Sequence, residues 1–376
     1  MPGALTHRIR AWRDDTRRAI VSRFFDREKP EVERLEGLRR VLFVRWDAKW
    51  GDSVVFSFVP RELQRHGISV EVIATSEMAP MFRDQFGVDA VHETKKRPGY
   101  GEIRRLARRI GPVDLVVFFS HLANHRAVYL LSQLQATHIA GLDDSVGLVD
   151  LKLGAATRGK HFAEKYLSLL ERCGVQGADT RYIVPREEQS EKSVSAFLQG
   201  RRPFVCLNAY SKGSARSLNL ETAKRLIELL LNQFSEHDVC VLSAPGKQQE
   251  VEGLCRQMAD ERVFCLPETQ TIYDNIELIA RADALVSGIT ATVHMADGLG
   301  VPSFVLFPFD PADRDDWHSR HPLSVNFLAE PSEPLDVNRL DWSEVERELA
   351  RFAAELKRCI GERQHGSEWE GRNCQA

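Results

Sequence analysis

Long apolar runs, paired cysteines and a dominant charge sign are all missing from this chain of 376 residues. No stretch approaches the roughly 18 to 20 uninterrupted apolar residues of a membrane span, and the N-terminus lacks the apolar core of a secretory leader, so the cytoplasm is the expected compartment. The seven cysteines, Cys173, Cys206, Cys240, Cys255, Cys265, Cys359 and Cys374, are odd in number and scattered without a CxxC pair, against a disulfide framework or zinc site. Cys206, Cys240 and Cys265 are expected to pack as small hydrophobes within strands. A formal net charge of −3 argues against a dedicated nucleic-acid binder. Also absent are a GxGxxG after the first strand-like run, against a dinucleotide-dependent dehydrogenase, and a GxxxxGK[ST] phosphate loop.

What is present is globular and periodic. Hydrophobic residues make up 43% and charged residues 28%, as in a soluble protein, and the length suits two domains of about 150 to 200 residues. Apolar runs near 40–46, 69–75, 88–92, 114–120 and 137–142 alternate with amphipathic stretches. A second series follows near 204–209, 238–243, 262–266, 283–287 and 302–307. Such alternation implies βαβ units and two largely parallel, doubly wound sheets. The expected organisation is a basic amphipathic extension (1–36), an N-terminal Rossmann-like domain (37–180), a second Rossmann-like domain (181–340), and a C-terminal helix with a polar tail (341–376). The polar stretch 176–202 reads as the crossover between domains. A helix near 161–173 should end at Gly174, and the final helix near 342–361 should open on a capping box of Ser343 and Glu346. In the extension, Ile9, Trp12, Ile20 and Phe24 share one helical face beside several arginines; residues 6–25 suit either an anionic membrane surface or packing on the first domain or a partner subunit.

Two strand-to-helix joints carry the chemistry. The first runs from Val41-Leu42-Phe43-Val44-Arg45 into Trp50-Gly51-Asp52. Asp52, held at the mouth of a sheet, suits a general base toward an acceptor hydroxyl and equally suits the N-cap of the helix that follows. Asp47 is a weaker candidate on the same turn, and Trp46 and Trp50 are candidates for walling the acceptor site or for simple packing. The second joint, Ser287-Gly288-Ile289-Thr290-Ala291-Thr292-Val293-His294, has no acid. Its Gly, hydroxyls and free backbone N–H groups at a helix start suit a diphosphate. A third segment, Leu207 to Leu218, places Lys212 and Arg216 on a Ser/Gly-rich loop, where cations can neutralise a departing diphosphate or simply sit on the surface. Gln248, after the turn at 243–246, suits contact with a ribose or base edge. Asp313-Arg314-Asp315 has the spacing of a metal-nucleotide motif but reads better as a solvated acidic loop.

Taken in order, these segments resemble glycosyltransferase family 9, the lipopolysaccharide heptosyltransferase family. The resemblance runs over most of residues 38–320 and includes the Gly51-Asp52 pair, the helix ending at Gly174, the phosphate-type loop at 207–220 and His294-Met295-Ala296-Asp297-Gly298-Leu299-Gly300-Val301-Pro302. It implies a GT-B fold with two doubly wound Rossmann-like domains facing each other across a cleft. It implies Asp52 as catalytic base, with Gly51, Trp50 and Asp47 on the acceptor side. Lys212, Arg216, Ser287, Gly288, Thr290, Ala291, Thr292, His294 and Gln248 would stand around the donor. Two positions depart from the pattern: Ile289 stands where the family has an Asp that engages sugar hydroxyls, and Leu218-Asn219 replaces Trp-Pro. The implied activity is inverting, metal-independent transfer of a sugar, heptose from ADP-heptose, onto a lipopolysaccharide core or related bacterial surface glycan. No cofactor or metal is implied beyond the nucleotide-sugar co-substrate. The partners would be that donor, a glycan or glycolipid acceptor and the inner face of the cytoplasmic membrane, with no nucleic acid. The alternatives are a same-fold transferase with another nucleotide sugar for an O-antigen, capsule or protein acceptor, and a non-catalytic nucleotide- or partner-binding scaffold.

Overall fold

A computed structural model of the chain describes residues 2–244, 246–269 and 271–364, without the side chains of residues 2–11 and 363–364. The side chains of Arg8, Ile9 and Arg10, Pro245 of the turn at 243–246, Cys374 and the tail beyond residue 364 therefore lie outside the described residues. The chain divides into two compact units, Met1–Ile183 and Val184–Ala376.

Unit 1 contains α1 (Pro2–Phe25), β1 (Arg40–Arg45), α2 (Trp50–Phe56), α3 (Phe58–Arg65), β2 (Ser69–Thr75), β3 (Ala90–Thr94), α4 (Tyr100–Ile110), β4 (Pro112–Phe118), α5 (His125–Gln133), β5 (Gln135–Gly141), β6 (Leu151–Lys152) and α6 (Phe162–Arg172). Its six strands are parallel in the order β3-β2-β1-β4-β5-β6. β1 is buried on both faces from Val41 onward, as a central parallel strand covered by helices must be. α6 stops where Gly174, at φ +85°, lets Val175 N–H reach back to the Leu170 carbonyl, 2.9 Å away.

Unit 2 contains α7 (Glu188–Leu198), β7 (Phe204–Asn208), α8 (Leu220–Gln233), β8 (Asp238–Val241), α9 (Gln248–Met258), β9 (Val263–Phe264), α10 (Ile272–Ala280), β10 (Ala284–Gly288), α11 (Ala291–Leu299), β11 (Ser303–Phe307), α12 (Pro311–Trp317), β12 (Val325–Leu328) and α13 (Trp342–Gln364). Its strands are also parallel, in the order β12-β11-β10-β7-β8-β9. Period-two alternation divides its core: Val205 and Leu207 face a cluster with Leu226, Leu230 and Phe352, whereas Phe204 and Cys206 face one with Leu278 and Ala296.

Several expectations are corrected. Strands β6 and β12 went unread because they are short or only partly apolar, and β3 lies two residues later than its apolar run suggested. The 176–202 stretch does contain the boundary between the units, at Ile183 and Val184, but it also includes α7, whose Val194 is buried against Phe204 and Leu278. The final helix is capped by Asp341, whose carboxylate accepts from Ser343 N–H (3.0 Å) and Glu344 N–H (3.3 Å), rather than by Ser343. α13 is core, with Val345, Leu349 and Phe352 fully buried. Cys206 and Cys240 are buried strand residues, but Cys265 lies just past β9 and is half-buried. α1 packs on α5: Val21 is buried, Phe25 meets Tyr129 edge-on at 4.9 Å, and the Arg18 guanidinium donates to Asp143 at 2.9 Å. Trp12, Ile20 and Phe24 of the same helix face outward. Among the described residues no helix is long and apolar enough to cross a membrane.

Candidate functional site

Open α/β sheets bind ligands beyond the carboxyl ends of their strands, where the strand order reverses. In unit 2 that point lies between β7 and β10, adjacent strands whose crossovers leave in opposite directions. β7 ends at Asn208 and β10 at Ser287-Gly288. The Asn208 amide nitrogen donates toward three hydroxyls, Thr290 Oγ1 at 2.9 Å, Thr292 Oγ1 at 3.1 Å and Ser287 Oγ at 3.2 Å. Thr290 is the N-cap of α11, yet its hydroxyl makes no capping bond; it pairs with Thr292 Oγ1 at 2.8 Å. The first turn of α11 contains no acid. An uncapped helix start of this kind presents N–H groups and the positive end of the helix dipole to an anion.

The loop that bears Arg216 lies against this strand end. A Cβ added at Gly288 would come within 2.6 Å of the Arg216 carbonyl oxygen, so only glycine permits the approach. The Arg216 guanidinium contacts both carboxylate oxygens of Asp313 at 2.8 Å. Asp313 is therefore not part of a free acidic loop: Asp310 caps α12 through Asp313 N–H, and Asp313 holds the cation at the strand end. Among the described residues no group of three or more His, Cys, Asp and Glu side chains is placed to hold a metal ion. Lys212 is exposed and makes no ion pair among the described residues.

His294 sits in α11, buried, with its ring 5.6 Å from that of Trp317 and Nδ1 unpartnered among the described residues. Burial, reinforced by His318, pushes this imidazole down to about 3, so it is neutral at physiological pH. Ile289 packs into a cluster with Val293, Val305 and Phe307, which explains how an aliphatic residue is tolerated there. Gln248 does not join the site by any hydrogen bond: its amide nitrogen donates to the carbonyls of Leu266 (2.9 Å) and Pro267 (2.8 Å). It braces the segment after β9. Sequence reasoning gave Asn208 no role and read Asp313 as part of a solvated acidic loop, whereas it pairs with Arg216. The signal for Asn208 was its place as the last residue of a buried strand, where a polar side chain needs a purpose.

In unit 1 the strand order reverses between β1 and β4. The turn after β1 contains Ala48 at φ +53°, a left-handed conformation rare for a residue with a Cβ, and leads into α2. The N-cap of α2 is Lys49, so Asp52 is its third residue and not a cap. Gly51 is buried in that first turn and Trp50 opens it. The Asp52 carboxylate receives the Lys49 ammonium at 3.0 Å, with 19% of its side chain exposed. Burial raises its pKa above the ordinary carboxylate value; Lys49 and Arg45 oppose that, and burial wins. Beneath it Arg45 is buried, 3.4 Å from both Tyr166 Oη and Ser53 Oγ, and Asp47, Tyr166 and Asp52 keep it cationic despite its desolvation. Asp47 has one buried carboxylate oxygen without a partner among the described residues. Trp46 is core, packed with Val44 and Phe118.

The glycosyltransferase family 9 crystal structure from Veillonella parvula DSM 2008 superposes with a TM-score of 0.67 at 15% identity, covering 84% of this chain and 98% of that one. The chain has the family 9 fold. ADP-heptose lps heptosyltransferase II of E. coli matches with a TM-score of 0.60 at 16% identity, covering 85% of this chain and 99% of the other. A "Putative glycosyltransferase" of Haemophilus influenzae is 25% identical over 111 residues, 30% of this chain and 32% of that protein. The match thus spans about a third of that curated relative's length. No family model matches the chain. Each unit is a parallel, doubly wound, Rossmann-like sheet, and two such domains make up the GT-B fold.

Proposed function

We propose that the chain is an inverting, metal-independent glycosyltransferase that moves a sugar from a nucleotide-diphosphate donor to a bacterial surface glycan. The observation that carries this reading is the start of α11, where a Thr N-cap leaves the first turn without a side-chain cap and without an acid. In this reading the donor diphosphate is received there, by Ser287, Gly288, Thr290, Ala291 and Thr292, with Arg216 nearby and Lys212 reaching in from the same loop. His294 stays neutral beneath the turn and shapes the pocket. ADP-heptose is the proposed donor and a lipopolysaccharide core the proposed acceptor, supported by the fold shared with a heptosyltransferase of that description.

Asp52 is the proposed base on the acceptor side, with Gly51, Trp50 and Asp47 around it. Its carboxylate takes the proton of the acceptor hydroxyl as that oxygen bonds to the anomeric carbon. The bond from that carbon to the diphosphate oxygen breaks on the opposite face, and its electron pair leaves on the diphosphate. The α11 N-terminus and Arg216 stabilise the charge that develops there, the role a metal plays in other transferases. A carboxylate raised by burial is a stronger base than a solvated one. Trp12, Ile20 and Phe24 on the outer face of α1 support peripheral contact with the cytoplasmic side of the membrane, where a glycolipid acceptor would be met.

Asp52→Asn tests the reading. Transfer or donor hydrolysis, assayed across a panel of nucleotide sugars, should fall by about 10²- to 10⁴-fold while nucleoside-diphosphate affinity is retained. Undiminished turnover in that variant removes Asp52 from the mechanism, and a wild-type chain that turns over no nucleotide sugar favours the scaffold reading.

A further inference from the structure

Unit 1 holds a cavity of about 560 Å³ that the reaction described above does not use. We propose that α1 completes an anion site there, in which Arg13 and Arg17 join Lys96, Arg97 and Arg126 to take a phosphate group carried by the acceptor. The inference rests on unit 1 being the acceptor side.

Five cations line the cavity against one acid, Asp14. None of the five forms an ion pair among the described residues, whereas Arg18, the next cation on α1, pairs with Asp143 at 2.9 Å. Unpaired like charges around one cavity repel one another, and a dianion relieves that repulsion more fully than a single carboxylate can. Guanidinium groups also match phosphate oxygens in a two-pronged geometry.

Helix α1 and the Arg126 side chain are both anchored. The Arg18 guanidinium donates to Asp143 Oδ2 and Ser145 Oγ, both at 2.9 Å, and Val21 and Phe25 anchor the same helix on α5. Arg126 donates through Nε to the Pro98 carbonyl at 3.1 Å and through Nη1 to His125 Nε2 at 3.3 Å. That second bond needs a neutral imidazole whose Nδ1–H donates to Tyr100 Oη, 2.7 Å away. Burial, with Arg126 and Arg17 adding to it, holds His125 below its ordinary value and so favours that form. The cavity also borders Trp46, the residue between the end of β1 and Asp47. A phosphate seated there belongs to the molecule whose hydroxyl meets the Asp52 turn.

The test is equilibrium dialysis of the full-length chain against radiolabelled inorganic phosphate, with saturating ADP to fill the donor site. The wild type should bind phosphate, and Arg13→Gln/Arg17→Gln should bind it at least tenfold more weakly with ADP affinity unchanged. Both side chains are exposed, so the substitutions remove no core packing. Arg23→Gln, exposed on the same helix but outside the cavity, should bind as the wild type does. Equal phosphate affinity in the double variant, or an equal loss in Arg23→Gln, overturns the proposal. Sedimentation with phosphatidylglycerol vesicles separates the sources of phosphate: lost vesicle binding with unchanged phosphate affinity overturns it in favour of a lipid headgroup. Phosphate binding that depends on Arg13 and Arg17 in a chain that binds none of ADP, UDP, GDP and CDP leaves this site standing and removes the transferase reading.

Discussion

Asn208→Asp changes one atom pair at the centre of the unit 2 cluster and puts a negative charge where the proposed diphosphate arrives. The present amide lies 2.9 Å from Thr290 Oγ1. A phosphate oxygen accepting from that hydroxyl adds about 2.8 Å, placing the two charges roughly 6 Å apart. At an effective dielectric of about 20, one unit of charge at that separation costs about 2–3 kcal/mol. Affinity for a nucleoside diphosphate should therefore fall roughly 30- to 150-fold. Stability should change little, because the three hydroxyls can rotate to donate to a carboxylate and Tyr210 N–H keeps its acceptor at 3.3 Å. Calorimetric titration with ADP, UDP, GDP and CDP, alongside a thermal melt, measures both quantities. A variant that binds its best nucleotide within threefold of the wild type, with the fold intact, refutes a diphosphate site at the start of α11.

Two further expectations concern pH and packing. The base needs its ionised form, so activity is present above the raised pKa of Asp52 and is lost as pH falls through it; Lys49 lowers that pKa, so Lys49→Ala should move the acid limb of the kcat/KM profile to higher pH and Lys49→Arg should restore it. An acid limb that stays in place or moves to lower pH contradicts the assignment. Gly288→Ala forces a methyl to within 2.6 Å of the Arg216 carbonyl, and displacing that loop should cost about 1–3 kcal/mol of stability and weaken nucleotide binding, read by denaturant melts and titration; wild-type values for both would show that the loop is free to move.

The alternation of apolar runs with amphipathic stretches was enough to identify two parallel doubly wound sheets, because a central parallel strand must be apolar on both faces and its crossover helix on one. The same local logic marked Gly174 as a helix end and placed Ser287 to Thr292 at a strand-to-helix joint, since both depend on residues only a few positions apart. β6 and β12 were not legible: one is two residues long and the other is only partly buried, so neither carries a periodic signal. Asp52 as a third helical residue, rather than a cap, depended on where α2 begins, and element boundaries are what sequence patterns fix least well.

Contacts between distant segments were decided by the fold alone. Asn208 meets Thr290 across 82 positions and Arg216 meets Asp313 across 97, pairings that exist because β7, β10 and β11 lie side by side at the switch point of their sheet. The basic cavity draws its cations from α1, the loop after β3 and the start of α5, three segments with no shared local pattern. The sequence by itself determined which elements form, since each is a response to its own residues and to burial. Only the tertiary structure decided which polar groups meet, because hydrogen bonds and charges act over a few ångströms in space and are indifferent to distance along the chain.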